Sequence, residues 1–239
     1  MDPTKLLDQF LGADAKAALG QAGGFAKEKM GGMGGMGGLA GGAAAGGLVA
    51  LLFGSKKVRK MAGGVVGYGG AAALGALALK AYQNYQEGKS VIGAPRPTQA
   101  EIAHTSPLAL PTATPAANGQ PFELSLIKAM IGAAKADGHV DAEEQKLVFE
   151  QVERAGLDAE AKAFVFDALS GPADLAGIAA SASTPEQASE LYLVSRLAID
   201  PDHPAERAYL EALGHRLKLP ADLIAHLERQ AEGALQPAT

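Results

Sequence analysis

The stretch MAGGVVGYGGAAALGALAL, residues 61 to 79, carries no charge over nineteen positions. As a helix it would be roughly 28 Å long, close to the ~30 Å hydrocarbon thickness of a bilayer. Whether it faces lipid decides the architecture. A second uncharged stretch, Met30 to Ser55, precedes it, and KKVRK, with Lys56, Lys57, Arg59 and Lys60, lies between them. Two apolar segments joined by a short basic loop predict a helical hairpin in a membrane.

The glycines of both stretches are spaced by four. Gly34, Gly38, Gly42 and Gly46 form one row, and Gly63, Gly67 and Gly75, with Ala71, form the other. In water each glycine costs a helix about 1 kcal/mol relative to alanine. In lipid the backbone must satisfy its own hydrogen bonds, so helix is enforced. The rows then make flat strips along which helices approach closely, pairing with each other or with further copies. The competing reading is a disordered Gly/Ala linker, which suits GGMGGMGG (31 to 38). LVALLF (48 to 53) and AAALGALAL (71 to 79) argue against it elsewhere.

Working outward, the expected organisation has five parts. Residues 1–29 are an N-terminal amphipathic segment, with Asp2 and Pro3 opening a helix that carries Leu6, Leu7, Phe10 and Leu11. Such a helix could lie on a bilayer or fray as a free terminus. Residues 30–87 are the glycine-rich anchor. Residues 88–121 hold Pro95, Pro97, Pro107, Pro111, Pro115 and Pro121, and read as an extended spacer reaching on the order of 100 Å. Residues 122–232 are a compact bundle of about seven helices, and 233–239 are a tail. The expected fold class is all-α: the chain is rich in Ala and Leu and poor in β-branched and aromatic residues.

Within the bundle, Leu126, Ile127, Met130 and Ile131 share a helix face, as do Phe164, Val165 and Leu169. Thr184, Pro185 and Gln187 read as cap, first helical residue and capping-box partner of a helix carrying Leu191, Val194 and Leu197. Further helices are expected from Pro204 to Leu217 and from Pro220 to about Gln230.

Charge excludes some functions. Residues 1–121 hold 11 Lys+Arg against 6 Asp+Glu, and residues 122–239 hold 10 against 20. The C-terminal half therefore repels phosphate backbones, and no nucleic-acid partner is expected. The basic half suits anionic lipid. Cysteine is absent, which removes disulfides and thiolate chemistry. EGKS (87 to 90) lacks the first glycine and the strand of a phosphate loop, and GYGGAA (67 to 72) lacks a βαβ context. His104, His139, His203, His215 and His226 form no motif, and no nucleophile–base pair is recognisable, so no enzyme is expected.

One acidic turn asks for a ligand. In AKADGHVDAEE (134 to 144), Asp141 and Glu144 form a capping box and Gly138 suits a helix end, leaving Asp137 unexplained. A shift of 63 residues aligns ADGHVDAEEQKL (136 to 147) with IDPDHPAERAYL (199 to 210), so Asp137 meets Asp200. If the two units pair, their carboxylates cluster, and oxygen ligands favour Ca²⁺ or Mg²⁺. The alternative is a set of caps on a solvated acidic face. The EF-hand pattern is not met, because Gly138 directly follows Asp137.

ADGHVDAEE, AIDPDHPAERAYLEALGHRLKLP and the glycine-rich apolar N-terminus together resemble the TerB-like (tellurite-resistance) family, in its membrane-anchored bacterial branch. The resemblance implies a seven-helix domain at the bacterial inner membrane and a link to envelope or metal stress. It favours the cytoplasmic side, whereas the charges leave the side open: the basic KKVRK loop favours an outside domain, and Lys16, Lys27, Lys29, Lys80, Lys89 and Arg96 on the flanks oppose it. The resemblance also implies metal chelation through Asp137, Asp141, Glu144 and Asp200. Pro201 and Pro204 depart from the family's second turn, which makes any such site lopsided at Asp202 and Glu206. Two functions follow as expectations. One is a membrane-tethered, non-catalytic interaction module that binds a protein partner or itself; the other is a divalent-cation sensor built on the acidic turns.

Overall fold

A computed structural model describes residues 2–11, 71–95, 97–98, 101, 110–136, 159–199 and 201–235. The described residues form eight α-helices and one short 3-10 turn, with no strand. In chain order they are α1 (Pro3–Leu11), α2 (Ala71–Gln86), the 3-10 turn η1 (Pro111–Ala113), α3 (Phe122–Ala134), α4 (Ala159–Ser170), α5 (Leu175–Ala180), α6 (Pro185–Ala198), α7 (Pro204–Arg216) and α8 (Ala221–Leu235). The all-α expectation holds.

The bundle is built around α6, which packs against α3, α2 and α8. Its start follows the sequence: Thr184 is extended, its hydroxyl accepts from the Gln187 N–H at 3.2 Å, and Pro185 occupies the first turn. Every residue from Gln187 to Ile199 is buried, although Gln187, Ser189, Glu190, Ser195 and Arg196 are polar. A helix surrounded on all sides must satisfy such groups internally. Ser189 and Ser195 donate back to the Pro185 and Leu191 carbonyls at 2.8 and 2.9 Å. Arg196 pairs with Glu228 of α8 at 2.6 Å, and the Tyr192 hydroxyl donates to the same carboxylate at 2.8 Å. On α6, Glu190 alone of the buried polar side chains is left without a partner.

The stretch that decides the architecture corrects the membrane expectation for α2. Among the described residues no helix is long and apolar enough to cross a membrane. Ala71 to Leu79 begins a helix that packs against α6 and α8, with Leu74, Leu77, Ala78 and Ala81 in the same core as Phe122, Leu126 and Leu191. A helix that is apolar all round fits a protein interior as well as lipid. Small residues serve the same end in both, letting a neighbour come close. Gly75 illustrates this: a Cβ there would stand 3.1 Å from Leu110 Cδ2 and 3.4 Å from Glu190 Oε1. It is a packing glycine of the bundle. Gly34, Gly38, Gly42, Gly46, Gly63 and Gly67 lie outside the described residues.

Two further expectations change for the same reason. Asp2 caps α1 as expected, accepting from the N–H groups of Thr4 and Lys5 at 3.1 and 3.2 Å. The helix does not present Leu6 and Leu7 to a bilayer, however; both are buried where α1 meets α3 and α2. The proline-rich spacer, where described, runs back over the bundle. Proline lacks an N–H but keeps its carbonyl, so a proline-rich strand offers acceptors that no neighbouring backbone satisfies. Side-chain amides meet them: Gln187 Nε2 reaches the carbonyls of Pro111, Thr114 and Pro115 at 3.2, 2.8 and 3.3 Å. Asn84 and Gln230 meet the carbonyl of Pro95. Pro97, Pro111 and Ala116 are buried.

Candidate functional site

The turn between α7 and α8 ends in RLKLP (216 to 220), and its geometry shapes a hollow of the described surface. Helices commonly end on a glycine because the residue after the last turn takes a left-handed conformation. Here Lys218 takes it, with φ +56°, and its N–H still closes onto the His215 carbonyl at 3.1 Å. Leu219 N–H returns to Gly214 O at 3.0 Å, and Pro220 then stops the chain before α8. A left-handed non-glycine residue costs of order 1–2 kcal/mol. That cost fixes the Lys218 side chain on the rim of a groove.

The groove has a volume of about 700 Å³ and runs between this turn, α5, the start of α6 and the C-terminal half of α2. Tyr82 and Tyr85 of α2 and Ala188, Leu217, Leu219 and Leu223 give it an apolar lining. Arg216 and Lys218 stand exposed at its edge. Across those two residues it adjoins a second hollow of about 860 Å³ that adds Ala212 and His215. Among the described residues no carboxylate lines either hollow. The nearest in sequence are Glu186 and Asp222, in the first turns of α6 and α8, and Glu211 of α7, next to Ala212. Neither Arg216 nor Lys218 makes an ion pair among the described residues. Within residues 122–239, where acidic groups outnumber basic ones two to one, this is a local concentration of positive charge.

Glu190 is a second unusual group. It is fully buried, neither carboxylate oxygen has a hydrogen-bond partner, and Oε1 faces Gly75 across the α2–α6 contact. Burial, with the Glu123 carboxylate adding repulsion, pushes its pKa up to about 8. It is therefore a neutral acid at pH 7. Tyr209 of α7 is half-buried, its hydroxyl lying over Gly132.

The acidic turns fall largely outside the description: Asp137, Asp141, Glu144 and Asp200 are all beyond the described residues. What is described of the second turn is organised by the chain's own cation. Arg207 donates to the carbonyls of Pro201 and Asp202, both at 2.8 Å. His203 serves as the cap of α7, its Nδ1 accepting from the Ala205 N–H at 3.3 Å. Among the described residues no three His, Asp or Glu side chains converge on a point that could hold a metal.

Sequence reasoning missed the groove because its lining comes from four separate segments. One local signal was available: the end of α7 has no glycine, so a side chain had to occupy the left-handed position. Glu190 gave no signal, since the periodicity of one helix does not reveal that all of its faces are covered.

Over 114 residues the chain is 35% identical to a Yersinia enterocolitica protein described as "Uncharacterized protein in ampR 5'region", a match covering 48% of this chain and 82% of that protein. No solved structure matches the chain significantly. Residues 38–231, most of the sequence and nearly all of the bundle, match the family described as "Protein of unknown function (DUF533)", and the chain belongs to this TerB-like family.

Proposed function

We propose that this chain is a non-catalytic interaction module whose docking site is the groove bounded by α2, α5, α6 and the α7–α8 turn. The groove lining carries the reading. Among the described residues it offers an apolar floor, phenol rings and cations, all of which bind, and no His, Asp or Glu that could activate a nucleophile at Ser183 or Thr184. We place the module at the bacterial inner membrane, in envelope or metal stress. The uncharged stretch from Met30 to Ser55 and the basic KKVRK support the tether; the TerB-like resemblance supports the stress role. With α2 in the bundle, the tether rests on the first stretch.

A photo-crosslinking residue at Ala180, inside the groove, tests the docking site in cells. An adduct is expected from Ala180 and not from exposed Ala163 on α4; equal adducts from both would remove the groove from the argument. Alkaline washing of vesicles tests the tether, which fails if the full chain is released. Ca²⁺ or Mg²⁺ at about millimolar concentration leaves the melting midpoint unchanged on this reading. A rise of several degrees that Asp137→Asn abolishes would replace it with a cation sensor.

A further inference from the structure

The rim of the groove specifies its occupant. Arg216 and His215 at the end of α7 have an ordinary role there, complementing the negative end of the helix. Lys218 has no such role. It lies past the helix, holds a strained backbone conformation where glycine would be relaxed, and makes no ion pair among the described residues. Sequence and geometry thus gather His215, Arg216 and Lys218 beside an apolar hollow with no carboxylate among its described lining residues. They do so within residues 122–239, which hold 20 acidic against 10 basic groups. An acidic partner would be attracted to this cluster and repelled by acidic stretches around it, which is how charge patterning selects orientation.

We infer that the groove takes an acidic peptide segment of a partner protein, its carboxylates set against Arg216, Lys218 and His215 and an apolar side chain seated on the Tyr82, Leu219 and Leu223 lining. A peptide suits the site because the residues that carry the charge also line an apolar hollow able to take a side chain. The inference rests on the docking reading above and adds the chemistry of the partner.

The test uses the full chain in mild detergent and two fluorescent peptides. One alternates Glu and Asp around a single Phe; the other replaces each acid by its amide. The acidic peptide is expected to bind, to weaken as salt is raised, and to lose about tenfold or more in affinity in the R216E/K218E double variant. Ala180→Trp, which fills the groove, is expected to abolish binding, while K5E, exposed on α1 and outside the lining, leaves it unchanged. Melting curves confirm that the exposed substitutions leave the fold intact.

Three outcomes overturn the inference. If the amide peptide binds as well, is blocked by Ala180→Trp and ignores R216E/K218E, the groove is a docking site but its partner is not acidic. If neither peptide is affected by any groove substitution, both the inference and the docking reading fail. If vesicles of anionic lipid bind the chain and lose it in R216E/K218E while the acidic peptide does not bind, the rim serves a membrane.

Discussion

Asn84 on α2 and Gln230 on α8, 146 positions apart in sequence, donate to one and the same carbonyl, that of Pro95, at 3.0 and 3.2 Å. His226, one turn before Gln230, meets the carbonyl of Lys89 at 3.1 Å. Three buried polar side chains thereby hold the chain leaving α2 against α8. Either Asn84→Ala or Gln230→Ala is expected to cost about 1–2 kcal/mol, because the other amide still pairs the carbonyl. The double variant should cost more than the sum, by roughly 0.5 kcal/mol or more, once the carbonyl loses both donors. Urea titration measures the cycle, and the rate of tryptic cleavage after Lys89 should rise most in the double variant. Strict additivity would mean the two amides act separately.

Glu190 makes stability depend on pH. Its carboxyl keeps its proton in the fold up to about pH 8, against an ordinary value of 4.5. Between those values the folded state binds more protons than the unfolded one, so stability falls as pH rises, by at most about 1.4 kcal/mol per pH unit. Below pH 4.5 the group is protonated in both states and adds no slope. Glu190→Gln is expected to flatten the decline seen by denaturant unfolding at a series of pH values. An unchanged slope would assign the pH dependence elsewhere.

Gly75 distinguishes a bundle from a lipid-facing row. Alanine there meets Leu110 Cδ2 at 3.1 Å, a movable side-chain end, and gains helix propensity, so Gly75→Ala should be near neutral. Gly75→Leu must also displace Pro111 and Glu190 and should cost about 1–3 kcal/mol, or prevent folding. Thermal melts with normal stability in Gly75→Leu would return this glycine to the membrane row.

Lys218 trades stability for placement. Lys218→Gly relieves the left-handed strain and is expected to raise stability by about 1 kcal/mol. The same variant removes a rim charge, so gains in the melt should accompany weaker binding of an acidic peptide. A loss of stability would show that the Lys218 side chain contributes packing that outweighs its backbone strain.

Local signals carried much of the fold. Asp2 before Pro3, Thr184 before Pro185, and Pro204 at the start of α7 each mark a helix start that the structure contains. These features act over one turn, through a donor, an acceptor or a fixed φ, and need no distant partner. The candidate site was far less legible. The groove joins residues from Tyr82 to Leu223, and the rim cations read in sequence only as the charged end of a helix.

By itself, then, the sequence determined that the chain is helical, where most of its described helices start, and that its C-terminal half is acidic. The tertiary structure decided what those helices face. Residues 71 to 79 exclude water equally well against lipid or against α6 and α8, since both surroundings demand an apolar surface and a self-satisfied backbone. The same holds for the prolines: their unpaired carbonyls suit a solvated leash, until buried amides such as Gln187, Asn84 and Gln230 need acceptors. Which surroundings are present is a property of the folded whole, because burial is created by segments distant in the chain.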